Sequence, residues 1–470
     1  MAHMSTGDTI AAIATAQGPG AVGIIRVSGP QARALAEALF RSSRPDFTGL
    51  KPYRLHHGSL VDARGSVLDE VLAAFMPGPG SFTGEDVAEL FCHGGPAVLR
   101  AVLDELLARG ARLALPGEFS FRAYRNGKLD LAQAEAIAET IAAPTRAALH
   151  LAQLKLSGAL SARVGDLRAR LEDLRAKLCL AVDFPDEDVE CLPLPALRDE
   201  ALAVAQALAP LLAGVERARA WREGVLAVLA GRVNAGKSSL MNALVGRNRA
   251  LVSAAPGTTR DYIEEQLDLS GLLLRLVDTA GLRAAAPDKV GEVAIDAVEA
   301  AGQELTREFM DRAEAVLYVL DASRPLHAED ADALRGLDPA RTLAVLNKGD
   351  LPPDADLAAA VGALGLACVC VSAKTGAGLD ELCALLRGRL AGGAREPEAD
   401  EIAPNARQAQ AIAQARGELL ALAEETGLGL PYDILALRLD AACRALAELT
   451  GDIAPDEVLN AIFSKFCIGK

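Results

Sequence analysis

Apolar residues along this chain change their spacing in blocks, and each block predicts a different architecture. Between residues 5 and about 126, short β-type runs such as Val22 to Val27 and Val71 to Phe75 alternate with helical stretches such as Ala97 to Arg109, which predicts an α+β domain. From Leu129 to about Trp221, Ala- and Leu-rich segments carry apolar residues three and four apart; Leu160 to Val182 and Leu197 to Val215 are the longest, and they predict amphipathic helices. The pattern then changes again. Val225 to Ala230, Leu272 to Val277, Thr342 to Leu346 and Ala367 to Val371 are unbroken apolar runs closed by turn residues, as expected of α/β strands buried on both faces. After an acidic, Gly-bearing linker from Ala391 to Glu401 the helical pattern resumes and continues through Lys470. The predicted limits are 1–126, 127–222, 223–392 and 393–470, so the strand-rich block is an insertion in a discontinuous helical domain.

Composition narrows the class without naming a chemistry. A chain of 470 residues that is 51% hydrophobic can bury several cores, and a net charge of −15 argues against a protein that coats nucleic acid electrostatically, although a local basic face remains open. Eight cysteines without a C-x-x-C pair, two of them (Cys368 and Cys370) alternating along a predicted strand, argue against a zinc site or a disulfide framework and for a reducing compartment. Met1 to Met4 reads as a vector-derived remnant ahead of Ser5. No apolar run reads as a signal or membrane helix, which makes a cytoplasmic location and no membrane partner the expectation.

The chemistry sits at the ends of the inserted strands. Gly231 to Ser238 fits G-x-x-x-x-G-K-[ST] between an apolar strand and a helix starting at Ser239, so its backbone N–H groups can wrap phosphates, with Lys237 reaching the β- and γ-phosphates and Ser238 on Mg²⁺. Pro256-Gly257-Thr258-Thr259-Arg260-Asp261 offers a hydroxyl to the same ion, as a switch segment does. Asp278-Thr279-Ala280-Gly281 closes the next strand, with Asp278 placed to hold Mg²⁺ through water and the Gly281 backbone to sense a γ-phosphate. In Asn347-Lys348-Gly349-Asp350 the Asp350 carboxylate can accept from both N1 and N2 of guanine, and Ser372-Ala373-Lys374 suits a backbone contact to O6. Each segment alone is weak evidence; five in order predict a GTP site.

Outside this block lie two further groups: Arg26, Glu89, Cys92-His93-Gly94-Gly95, Pro116 to Phe119 and Asn126 to Leu131 near the start, and Phe466-Cys467-Ile468-Gly469-Lys470 at the end. Taken singly, Arg26, Glu89 and Lys128 read as surface charges and Cys467 as a buried thiol.

Taken together with Asp183-Phe184-Pro185-Asp186-Glu187 and the inserted G domain, they resemble over the whole chain the tRNA uridine-5-carboxymethylaminomethyl modification GTPase family, MnmE or TrmE. The resemblance implies an N-terminal α+β folate-binding and dimerisation domain and a discontinuous helical domain around a Ras-like P-loop G domain. It implies a homodimer that works with the flavoprotein MnmG (GidA), as a heterotetramer, on C5 of the wobble uridine of certain tRNAs. The partner would hold FAD and use NADH. A folate of the 5-formyltetrahydrofolate type would be the one-carbon donor, carried by Arg26, Glu89, Lys128 and Lys470; cations suit its carboxylates and an acid its pterin donors. Cys467 would belong to the modification chemistry. The implied GTP contacts are Asn234 to Ser239 (Asn234, Ala235, Gly236, Lys237, Ser238, Ser239), Ser253, Ala254, Ala255, Pro256 to Thr259, Asp278 to Gly281, and the two base segments. Leu282 stands where a Ras-type glutamine would orient water. The family answer is K⁺, here on Asn234, Ser253, Ala255 and Thr258, with Mg²⁺ on Ser238 and Thr259, while the G domains pair. A water-orienting glutamate maps to Glu299 in Val298 to Gly302, with Glu292 competing because the segment after Gly281 is long. Two other readings stay open: a translational or ribosome-assembly GTPase switch, and a folate-dependent methyltransferase with Cys467 as nucleophile.

Overall fold

In the computed structural model, residues 7–16, 18–183, 193–248, 264–278, 308–391, 397–398 and 400–470 are described. The chain divides into two compact units, one of residues 1–138, 155–208 and 410–470, the other of residues 139–154 and 209–409.

In the first unit a seven-stranded sheet is built from β1 (Ile10–Ile13), β2 (Val22–Ser28), β3 (Phe40–Ser42), β4 (Leu55–Val61), β5 (Val67–Met76), β6 (Val87–His93) and β7 (Arg112–Leu113), in the order β3-β4-β5-β6-β2-β1-β7. Helices Ala32–Leu39 and Pro96–Ala108 cover one face. Leu35, Leu39, Leu99, Val102 and Leu106 fill that layer against Ile25, Val27, Val71, Ala73 and Leu90. The odd–even alternation of the strands decides the contacts: Ala11 enters this core while Ile10 and Ala12 face the other way, against Ala114 and Phe119. The expected runs at 22–27, 71–75 and 97–109 are seen as β2, part of β5 and the second helix.

Beside the sheet a charged cluster forms around buried Arg122 and Glu118. Arg122, fully buried, donates to the Asp8 carboxylate and backbone, to Glu85 at 3.0 Å and to Glu118 at 3.3 Å. Arg112 pairs with both Glu118 and Asp8. Burial raises the Asp8 carboxyl, and the hydrogen bonds from Arg112 and Arg122 more than reverse it, so the group is held below the usual carboxylate range.

The last helix of this unit, Asp456–Phe463, inserts an aromatic anchor. Phe463 packs edge-on to Phe121 with ring centroids 5.5 Å apart and lies 5.4 Å from Phe466, within a core that includes Leu131, Ala134 and Leu459. The expected helix at 160–182 is Ala159–Asp183, and the one at 197–215 is the longer Leu194–Glu223. That longer helix corrects one expectation. By length and composition alone it could cross a membrane. Its buried positions Leu197, Ala201, Val204, Ala205, Leu208 and Leu211 recur three and four apart, the stripe of a helix packed on one side.

In the second unit β8 (Val225–Ala230), β9 (Glu264–Leu269), β10 (Leu272–Asp278), β11 (Ala315–Asp321), β12 (Thr342–Asn347) and β13 (Ala367–Cys370) form a sheet ordered β13-β12-β11-β8-β10-β9. All neighbours are parallel except β9 with β10. The apolar run of β8 shows why its pattern is unbroken: Val225, Ala227 and Leu229 enter one core and Leu226, Val228 and Ala230 the other. The expected strands are found within one residue of their predicted ends.

Trp221, the single tryptophan, is 1% exposed in the first of these cores. Its emission is therefore expected to be blue-shifted in the folded chain and to shift red only as the second unit melts. Trp221→Ala is expected to destabilise that unit by about 3–5 kcal/mol, read as an earlier denaturation transition by circular dichroism; an unmoved transition would contradict the packing assigned to it.

Candidate functional site

The phosphate loop leaves β8 and enters helix Lys237–Asn248. Gly236 takes φ +96, and a Cβ there would stand 2.3 Å from Asn347 Nδ2, so only glycine lets the loop lie against the base segment. Lys237 is 7% exposed and donates from Nζ to the Gly231 carbonyl at 2.8 Å and the Arg232 carbonyl at 2.9 Å, which curls its ammonium over the loop. Ser238 Oγ donates to Asp278 Oδ2 at 2.8 Å. A hydroxyl from the first turn of a helix and a carboxylate from the end of β10 thus converge, and these are the hard oxygen donors that Mg²⁺ takes. Asn234 has φ +66, the left-handed conformation that Asn tolerates best after Gly. Ser239 lies exposed in the first turn of the helix.

Asn347 ties three loops together. Its Nδ2 donates to the Ala235 carbonyl at 3.1 Å, and its Oδ1 accepts from Ala373 N at 3.1 Å. Ser372 Oγ donates to Asp350 Oδ1 at 2.7 Å, and Gly349 N donates to the Val371 carbonyl. The Ser372 bond holds the Asp350 carboxyl below the usual range, burial opposes it, and Lys374 at 3.9 Å adds to the lowering. Asp350 therefore stays ionised, an acceptor only. Lys348, at φ +67, sends its ammonium to Asp321 Oδ2 at 2.7 Å. Asp321 is not singled out by the motif spacing; the available signal is an acid closing the apolar run of β11, just as Asp278 closes β10.

Ser253, Ala254, Ala255, Pro256, Gly257, Thr258, Thr259, Thr279, Ala280, Gly281, Leu282, Glu292 and Glu299 lie outside the described residues, as do residues 184–187 and most of the linker.

In the first unit, Arg26 on β2 and Glu89 on β6 face each other in register, and Arg26 Nε donates to Glu89 Oε1 at 2.8 Å. The guanidinium also reaches the Gly469 carbonyl at 3.3 Å and lies within 6 Å of the Phe82 and Phe119 rings, at 5.6 and 5.7 Å. Lys470 is brought to the same place: Phe119 N donates to its carbonyl at 3.2 Å, and Gly117 N donates to that of Cys467 at 3.4 Å. Burial, and then repulsion from Arg26, push the Lys470 ammonium below the usual lysine range, against the pull of Glu89 and Cys467. Cys467 is exposed beside this cluster. Lys128 is not in contact with it. Lys128 Nζ donates to the Pro79 carbonyl at 3.0 Å, and its link to Arg26 runs through the loop of residues 79–84, which Asn126 Nδ2 holds at Thr83 O.

The docked tail depends on Gly469, whose φ is +93 and whose added Cβ would stand 2.4 Å from the Ile13 carbonyl. Gly469→Ala is expected to release the tail, so that the Gly117 and Phe119 amides exchange hydrogen at least about tenfold faster with little change in global melting. Wild-type exchange at both amides would show that the tail tolerates the methyl group.

A family model for the MnmE helical domain matches residues 131–467, and one for the GTP-binding protein TrmE N-terminus matches residues 9–128. The tRNA modification GTPase MnmE of Nitratidesulfovibrio vulgaris strain DP4 is 51% identical over 469 residues, covering 99% of this chain and 100% of that protein. That of Lawsonia intracellularis is 44% identical over 466 residues, covering 98% and 100%. Among solved structures, the G domain of the T. maritima FeoB iron transporter is 24% identical, covers 36% of this chain and 98% of that one, and superposes with a TM-score of 0.24. Matched in order by both family models and by full-length relatives, this chain belongs to the MnmE (TrmE) family.

Proposed function

We propose that this chain is a GTPase that binds guanine nucleotide at the β8, β10, β12 and β13 strand ends and acts in tRNA modification. The observation that carries the reading is Asn347, which joins the phosphate loop to the Ser372-Ala373-Lys374 turn and so sets the phosphate and base halves of one site at a fixed separation. The names of the full-length relatives support the tRNA role.

In hydrolysis the phosphate-loop amides and Lys237 bind the β- and γ-phosphates and spread the charge that develops on them. Lys237 must leave the Gly231 and Arg232 carbonyls to do so, a small movement about its own side chain. Ser238 and Thr259, with Asp278 through water, would hold Mg²⁺, which would supply neutralisation of phosphate charge. Asn234, with Ser253, Ala255 and Thr258, would hold K⁺ in place of an arginine finger, and Glu299 or Glu292 would orient water. The finer reading keeps the working division at 126, 222 and 392 and adds a cytoplasmic homodimer, assembled with the flavoprotein MnmG carrying FAD and using NADH. Its target is C5 of the wobble uridine. The juxtaposed Arg26, Lys470 and Glu89 suit the carboxylates and pterin donors of a reduced folate, and Cys467 stands beside them.

Asp350→Asn tests the base site, because an amide can donate to the C2 carbonyl of xanthine where a carboxylate only accepts. GTP binding is expected to weaken by about tenfold or more and XTP binding to strengthen; unchanged nucleotide preference in a competition titration would remove Asp350 from the site. Hydrolysis in K⁺ is expected to exceed that in Na⁺ by about 10³-fold or less, the lower range for a charge at an arginine-finger position, with Asn234→Ala abolishing the difference. Equal turnover in the two salts would defeat the cation reading. Calorimetry with 5-formyltetrahydrofolate, expected to give binding that Arg26→Ala or Lys128→Ala weakens without altering GTP affinity, tests the folate reading; no heat from the wild-type chain would end it.

A further inference from the structure

The turn after β11 laces onto the base-recognition turn after β12. Ala322 N donates to the Asn347 carbonyl at 2.7 Å and Asp354 N to the Ala322 carbonyl at 2.8 Å, which joins residues 321–323 to 347–354 by backbone bonds on both sides of Ala322. Within it Asp321 is 15% exposed and uses both oxygens: Oδ1 accepts from Ser323 N and Oγ, at 3.0 and 2.7 Å, and Oδ2 from Lys348 Nζ at 2.7 Å. Burial raises this carboxyl, and the bonds from Lys348 and Ser323 more than reverse the effect, so it is ionised when it meets the ammonium.

The pairing settles a competition. Lys348 lies two residues from Asp350, the carboxylate assigned to guanine N1 and N2, and its stem is long and freely rotating. An unheld ammonium there can turn to Asp350 and occupy the acceptor that the base requires. Ser372 already takes Asp350 Oδ1 and exposed Lys374 stands 3.9 Å from Oδ2, so a second and closer ammonium on Oδ2 would leave little for the ligand. We propose that Asp321 is a positioning residue for guanine recognition: by holding the Lys348 ammonium on the β11 side of the base turn, it extends the Lys348 stem and keeps the Asp350 carboxylate for the base. The inference rests on the guanine-nucleotide reading above.

Titration of the full chain with mant-GDP, followed by displacement with GDP and with IDP, tests it, since IDP lacks the N2 donor and reports how fully Asp350 is engaged. Asp321→Asn is expected to weaken mant-GDP by about tenfold, equivalent to about 1.4 kcal/mol, and to reduce the preference for GDP over IDP. Asp321→Glu is expected to recover most of both. Wild-type affinity and preference in Asp321→Asn, or a folded Asp321→Glu as impaired as the Asn variant, would overturn the assignment. Should Asp321→Asn not fold, Lys348→Gln breaks the same pair from its more exposed end. That change removes the competing ammonium itself and is expected to keep the preference for GDP over IDP; a Lys348→Gln chain that lost this preference would overturn the proposal, since no ammonium from that position would remain to occupy Asp350. A wild-type chain that bound no mant-GDP would overturn the nucleotide reading itself, an outcome distinct from a variant that binds as well as wild type.

Discussion

The parallel pairing of β8 with β10 and β11, and of β12 with β11 and β13, is the constraint on which the nucleotide site depends. Parallel strands all end on one edge, so five segments spread over some 140 residues of chain are delivered to one crevice without any direct sequence proximity. Their closing residues are Ala230 before the phosphate loop, Asp278, Asp321, Asn347 and Cys370. A strand held by two cores cannot slip by one residue without turning an entire apolar set outward, and β8, β11 and β12 are packed on both faces. The register that fixes the core therefore fixes the spacing between Ser238 and Asp278 and between Ala235 and Asn347.

The first unit solves a related problem with different means. Its charged cluster at Arg26, Glu89 and Lys470 combines residues more than 440 positions apart, and what joins them is apolar. Phe463 and Phe466 pack with Phe121, and the backbone beyond them hydrogen-bonds to Gly117 and Phe119. Hydrophobic burial supplies most of the docking energy, while Gly469 supplies the backbone conformation that side chains other than glycine rarely adopt. A separate network, of buried Arg122 and Glu118 with the partly exposed Asp8, Glu85 and Arg112, ties the Glu118–Arg125 helix to the strands and loops around it.

Much of the second unit is legible in the sequence because its strands are unbroken apolar runs and its loops carry residue types with narrow physical uses. A lysine after a glycine-rich turn and an aspartate at a strand end have few structural substitutes. The same reasoning gives the helices of residues 159–183 and 194–223 but underestimates the second, mainly at its C-terminal end, where the charged stretch 216–223 breaks the apolar pattern. Arg26, Glu89 and Lys470 are legible only through family resemblance, because strand register and tail docking, not spacing, bring them together. Asp321 is hidden for a further reason: its role depends on where one lysine ammonium points, and a side-chain direction is set by the folded neighbours alone.

Two carboxylates thus divide the work at the base turn, and the division follows from their surroundings. Asp350 has Oδ1 on the neutral donor Ser372 and Oδ2 3.9 Å from the ammonium of exposed Lys374, a solvent-screened pair that leaves Oδ2 able to accept. Asp321 accepts from Ser323 N and Oγ on one oxygen and from Lys348 on the other, with Arg324 Nε 3.8 Å from Oδ2. A binding acid needs an unspent acceptor, whereas a supporting acid is most rigid when fully engaged. In the proposed base site, the pairing of Lys348 with Asp321 at the end of β11 is what keeps that lysine off the carboxylate assigned to the base.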